Sequence, residues 1–330
     1  MDVLVLGGGV FVGRNAIAEA LAGGHRVTVF NRGRSGPDPD GVTVLRGDRT
    51  DPADLAQLGG RRFDLVLDTS GYVPADVARG AVLLADTAAH YAFVSTVNVF
   101  PGWPDAEDYH RGGVYDDADP QAREAPPDLA DSARYGWLKV GCERAVEAAF
   151  GEDRCSILRA TTICGPHDSA VARLPWWLAR VARGGEVLVP GSPHDTVSLL
   201  DARDLAQLAL RRVPGRHELA GPPTSRADLM TTCRRVTSSD AQWYYVEDAW
   251  LSGQDVQPWT ELPLWAPDAP SLFRHSPSPA LRTRPLAQTV ADTWAWQRAV
   301  PGGWQPSQRT PGLDPDKEVT LIAAHRRGHP

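Results

Sequence analysis

Paired cysteines are missing from this chain. Its four, Cys142, Cys155, Cys164 and Cys233, form no CxxC unit and keep no histidine-rich spacing. That argues against a metal site and for scattered thiols in a reducing compartment. An excess of positive charge is missing too. Lys and Arg number 34 against 41 Asp and Glu, a net charge of −7, which disfavours a general role on nucleic acid or at a membrane surface. No long apolar run, charged leader or cleavage-type tripeptide precedes the first apolar stretch after Met1-Asp2, so the expected location is the cytoplasm. Internal repeats are absent. What is present is a chain of 330 residues with 42% apolar side chains, enough for one large α/β domain and a smaller partner lobe.

The first half alternates short β-branched runs with helical spacing, the pattern of a parallel sheet covered by helices. Strands are predicted at 3–6, 26–30, 42–45, 64–68, 91–95 and 155–159. Ala16, Ile17, Ala20 and Leu21 share one helical face that Gly23-Gly24 stops, and a long helix is predicted over 134–149. Beyond Gly165 proline and tryptophan become frequent, as in Trp176-Trp177 and Pro258-Trp259, which predicts a lobe of short elements. Residues 199–210 read as a short strand feeding a helix that returns to the first domain, and 317–326 as a helix in a Pro- and Gly-rich tail. The division expected is a first domain over 1–165 with a returning segment near 199–220, and a second lobe from 166–198 and 221–330.

The stretch Gly7-Gly8-Gly9-Val10-Phe11-Val12-Gly13 sits between the first strand and the first helix. Glycine there lets backbone approach a pyrophosphate, whose charge the helix N-terminus favours. Strand, turn and helix in this order predict a Rossmann-type dinucleotide site, although Val10 stands where a GxxGxxG pattern wants glycine. The second strand ends Phe30-Asn31-Arg32-Gly33-Arg34, with no carboxylate in the position that reads the ribose hydroxyls of NAD. Guanidinium suits a phosphate dianion, so Arg32 and Arg34 predict NADP(H), with NAD(H) still possible. Asp48, followed by Arg49 after the third strand, suits either the adenine amine or a turn.

Tyr135-Gly136-Trp137-Leu138-Lys139 places a phenol and an ammonium four residues apart on one helical face. A nearby cation lowers a phenol's pKa and lets it exchange a proton with an alcohol oxygen. The lysine can also hold a cofactor ribose. Alone, YxxxK is a common chance pattern.

Taken with the glycine turn, the Val94-Ser95-Thr96-Val97-Asn98-Val99-Phe100 strand exit, Arg159, Gly165-Pro166 and Asp201-Ala202-Arg203-Asp204, it makes the chain resemble the extended short-chain dehydrogenase/reductases, the NAD-dependent epimerase/dehydratase family. The Val5-Leu6-Gly7-Gly8 opening, Asp68-Thr69-Ser70-Gly71-Tyr72 and 182–188 resemble an actinobacterial reductase-like branch, which is also similar to chloroplast stem-loop-binding proteins. The resemblance covers about the first two-thirds of the chain. It implies a doubly wound α/β Rossmann domain with a smaller C-terminal substrate lobe. It also implies Thr96, Tyr135 and Lys139 as catalytic residues. Cofactor-lining positions would be Gly7, Gly9 to Gly13 (Val10, Phe11 and Val12 between), Asn31, Thr69, Ser70, Gly71, Ala160 and Thr161. Ser95 competes with Thr96 locally, but neighbouring strand residues point to opposite faces.

Departures from the family narrow the chemistry. Sugar-nucleotide dehydratases of this group carry an Asp-Glu pair after the threonine, where this chain has Val97 and Asn98. The asparagine and arginine that epimerases commonly use on a substrate diphosphate are replaced by Thr162 and Val197. Substrate candidates are therefore Val97, Asn98, Thr162, His167 and Trp176, with the tryptophans suiting either a flat small molecule or a packed core. Asp168 reads best as a turn residue. The expectation is an NADP(H)-dependent oxidoreductase acting on a carbonyl/alcohol pair in a small molecule, with a homodimer as the candidate assembly. A sugar or sugar-nucleotide epimerase is the alternative. A non-enzymatic RNA-binding relative is a third, disfavoured by the acidic balance and by Thr96, Tyr135 and Lys139.

Overall fold

A computed structural model describes residues 1–104, 109–273 and 278–328. Along the first half run β1 (Asp2–Leu6), α1 (Phe11–Ala22), β2 (Arg26–Asn31), β3 (Thr43–Arg46), the short α2 (Pro52–Leu55), β4 (Leu65–Asp68), α3 (Pro74–Leu84), β5 (Tyr91–Thr96), α4 (Asp131–Phe150) and β6 (Cys155–Ala160). Then come β7 (Ile163–Cys164), α5 (Arg173–Ala182), β8 (Glu186–Pro190), β9 (Thr196–Ser198), β10 (Leu200–Asp201), α6 (Ala202–Leu210) and β11 (Gly215–Leu219). The remainder holds β12 (Pro223–Ser225), α7 (Arg226–Thr237), β13 (Gln242–Val246), α8 (Asp248–Ser252), α9 (Leu286–Arg298) and α10 (Pro315–Gly328).

Seven strands form one parallel sheet in the order β11-β6-β5-β4-β1-β2-β3. Its strands are near-continuous apolar runs because both faces are covered. Ile17 and Ala20 of α1 and Leu205 and Ala209 of α6 pack on one face. Val77, Ala81 and Leu84 of α3 and Cys142 and Val146 of α4 pack on the other. This is the Rossmann arrangement, in which the strand order reverses between β1 and β4 and opens a crevice at their carboxyl ends. All four cysteines are buried free thiols.

The second lobe has its own core around the fully buried Trp177, Leu188, Met230 and Trp265, between α5, α7 and α9. Two small pairs, β13 on β8 and β12 on β9, organise what the sequence showed only as irregular spacing. The returning segment joins the sheet side through α6 and β11. A cluster of charges ties it to the second lobe: Arg203 pairs with Asp201 and Asp292, and Arg284 with Glu19, Asp201 and Asp204.

Candidate active site

The crevice is a cleft of about 540 Å³. Its floor is the glycine turn, with Gly7 to Gly13 all lining it. A Cβ on Gly13 would lie 2.6 Å from the Gly8 Cα, so only glycine lets α1 start this close to the strand exit. Val10 is exposed and tolerated, while Phe11 anchors the turn in the core. The missing glycine at position 10 therefore leaves the turn intact.

At one end the cleft is bounded by Asn31, Arg32, Arg34, Asp48 and Arg49. Asn31 and Asp38 bind the Arg46 guanidinium between them, a brace the sequence did not reveal. Arg32 is exposed and only 3.7 Å from an Asp48 carboxylate oxygen, a loose pair that another anion can replace. Asp48 accepts from the Thr50 amide and hydroxyl, a turn role, while still bordering the cleft. Arg49 turns inward. Both its Nη atoms donate to Asp68 at 2.9 Å, and Tyr91 donates to the same buried carboxylate, so its charge is committed inside the protein and not to a ligand.

At the other end Thr69 and Ser70 hold the Leu6 carbonyl, and Tyr72 and Val73 continue the wall. Tyr135 lies beyond them, its ring 6.5 Å from that of Tyr72. Tyr135 is 38% exposed and, like Thr96, Lys139 and Gly71, stands outside the cleft lining itself. Thr96 closes β5, accepting from the Asn98 amide and donating to the Asn98 side chain at 2.9 Å. Ser95 faces the other way, donating to Glu143 at 2.5 Å. Glu143 also takes a fork of bonds from Arg159, so α4 is pinned to β5 and β6 one turn beyond Lys139. Gly136 allows the close approach that sets Tyr135 beside the strand exit, because a Cβ there would lie 1.8 Å from the Asn98 carbonyl oxygen.

Lys139 corrects one expectation. Its ammonium is 3% exposed and donates to the carbonyls of Gly71 at 2.8 Å and Val94 at 2.6 Å, 4.1 Å from the Phe93 ring centre. Burial lowers its pKa, opposed by nearby acidic groups. The phenol of Tyr135 is not lowered. Burial pushes it above the ordinary range, with Tyr72 adding to the shift and the Thr96 hydroxyl opposing it.

Several expected contacts lie elsewhere. Ala160 and Val97 are buried, and Thr161 has a buried hydroxyl without a partner, none of the three lining the cleft. Thr162 is buried, its carbonyl accepting from Leu200. Val197 is a core residue of the second lobe. Trp176 packs in that core against Trp177, with rings 4.9 Å apart, which removes it as an open substrate platform. His167 adopts a left-handed conformation against Trp296, and Asp168 caps the following turn through the amides of Val171 and Ala172. Among the cleft residues the sequence did not single out, Ala170, Val171 and Arg309 are brought in from distant segments without any local motif.

Residues 3–216 match the family profile described as the NAD dependent epimerase/dehydratase family. The chain belongs to that family. No curated protein matches it significantly. Among solved structures, this family member is similar to the Bordetella bronchiseptica enzyme WbmH in complex with NAD+, at 17% identity and TM-score 0.61 over 91% of this chain and 99% of that one. It is also similar to UDP-N-acetylglucosamine 4-epimerase of Bacillus cereus, at 13% and 0.58 over 91% and 97%. UDP-glucuronic acid 4-epimerase of the same organism, in complex with NAD, aligns at 14% and 0.58 over 94% and 100%. At these identities the likeness establishes the fold. Among the described residues no helix is long and apolar enough to cross a membrane.

Proposed function

We propose that this protein is a reductase or dehydrogenase that moves hydride between a nicotinamide dinucleotide and a carbonyl/alcohol pair on a small molecule. The observation that carries the reading is the hydrogen bond between Thr96 and Tyr135 beside Tyr72, a lining residue of the cleft whose floor is a glycine turn. The cleft suits a dinucleotide: backbone of Gly7 to Gly13 for the pyrophosphate, Asn31, Arg32 and Arg34 for the adenosine ribose. Arg32 and Arg34 favour NADP(H), whereas two of the similar solved structures hold NAD+ or NAD. The cofactor, when bound, supplies or accepts the hydride.

The side chains of the chain do the rest. A phenol raised by burial stays protonated at neutral pH, which suits Tyr135 to giving a proton to a substrate oxygen as it gains charge. Thr96 would turn its hydroxyl from Asn98 to that same oxygen. Lys139 spends two of its three N–H groups on the Gly71 and Val94 carbonyls, leaving one for a ribose hydroxyl.

The test is NADPH absorbance followed against a panel of small aldehydes and ketones. Net consumption is expected, and Tyr135→Phe should reduce turnover about 10²–10⁴-fold while NADPH affinity holds. Retained turnover in that variant would sink the assignment. A sugar epimerase is the second reading. It is favoured by a tail segment that brings Arg309 to the cleft rim, held there by the bonds of Ser307 to Val171 and of Gly312 to Thr260. An enzyme that re-reduces its own intermediate needs no cofactor exchange, so turnover without net nucleotide consumption would select it.

A further inference from the structure

The tail segment 304–312 is seated on the second lobe and ends its turn inside the cleft. Thr310 and Leu313 are buried, and the Gly312 amide donates to the Thr260 carbonyl at 2.9 Å. Gly312 runs against the Trp176 indole so closely that a Cβ would fall 1.4 Å from its Nε1. Ser307 bridges to Thr310 and donates to the Val171 carbonyl at 3.4 Å. Between those two anchors the turn presents Arg309, which lines the same cleft as Gly7 to Gly13 and Tyr72. Trp176 thus has a use other than substrate contact, as the seat of this segment.

Arg309 is exposed, and among the described residues it forms no ion pair. Asp76, a carboxylate on the same wall, is already paired with Arg79 and Arg123. A cation held without an ion-pair partner in the lining of the cleft that the glycine turn floors, on a backbone fixed at both sides, is prepared for an anion in that cleft. We propose that Arg309, together with the glycine turn, binds the pyrophosphate of the dinucleotide and slows its release. The inference rests on the dinucleotide reading of the cleft. A guanidinium matches phosphate oxygens two at a time, which a lysine cannot do.

The test compares the wild type with R309Q and R309K, titrated by calorimetry with NADPH, NADH and ADP-ribose, with dissociation rates followed by cofactor fluorescence. ADP-ribose carries the pyrophosphate without the nicotinamide and without any substrate phosphate. R309Q is expected to weaken all three ligands about tenfold or more, chiefly through faster release, and R309K to recover part of the loss at unchanged Tm. ADP-ribose affinity in R309Q within about twofold of the wild type would overturn the proposal, and if a phosphorylated substrate alone then bound more weakly, it would move Arg309 to the substrate. Equal losses in both variants with a lowered Tm would overturn it too, by tracing the effect to the segment's fold. A wild type that binds none of the three would overturn the dinucleotide reading itself.

Discussion

Between Tyr135 and Trp137 the helix carries no side chain, and the Asn98 carbonyl occupies the space one would need. Gly136→Ala gains about 1 kcal/mol of helix propensity, but overpacking of this kind costs about 1–3 kcal/mol. The contact is with backbone, which cannot rotate away, so the loss should win. Thermal melting is expected to show a lower Tm, and the displaced phenol a lower kcat even where the fold survives. An unchanged Tm with full turnover would show that α4 does not depend on this approach. Tyr135 and Lys139 were legible only together with the glycine turn and the β5 exit, since their four-residue spacing puts them on one helical face but is common by chance. Their protonation was not visible. It depends on burial, on Tyr72 and Thr96 around the phenol and on Asp68 and Glu143 around the ammonium, all brought together only by the folded sheet.

The strand exits share this division. The first six strands and the glycine turn were legible because each is a short apolar run with its own punctuation. The adenosine rim was legible only in part, since Arg32 and Arg34 lie next to the strand while the Asp38–Arg46–Asn31 brace closes through space. That brace holds the ends of β2 and β3 together and leaves Arg32 with only a loose partner in Asp48. Arg32→Ala should therefore weaken NADPH by about tenfold and leave NADH nearly unchanged, as read by calorimetry. Equal affinities for the two cofactors in the wild type would remove the case for NADP(H). The tail turn carrying Arg309 had no signal at all, since nothing in a Pro- and Gly-rich stretch tells which groove it will cross.

Over the whole molecule, stability should depend on pH through a group far from the cleft. His90 is buried, its Nε2 2.6 Å from the Ser156 hydroxyl, which itself donates to the Val213 carbonyl. That hydroxyl must therefore accept from His90, so Nε2 carries a proton. Burial, helped by Arg212, lowers its pKa to about 4 from 6.5. The unfolded chain then takes up a proton that the folded one refuses. The stability His90 lends is complete above 6.5 and is lost as the pH falls toward 4, by roughly 2–3 kcal/mol. Asp204 has the opposite sign. Burial raises it to about 6 from 3.8, so its contribution fades as the pH rises through 6. The difference in urea-unfolding free energy between the wild type and His90→Gln isolates the histidine. It should shrink from pH 7.5 to pH 4, and a flat difference would disprove the account.

The path of the chain has a mechanical consequence. It leaves the sheet after β6, returns through α6 to β11, and leaves again at β12. Three passes of backbone, braced by the Arg203 and Arg284 clusters, make a joint with several pins in place of a single hinge. Such a joint resists the wide swing by which many two-body enzymes admit their ligands. Traffic into this cleft must then be handled by side chains and short turns at its rim, and its selectivity would reside in what that narrow doorway lets through.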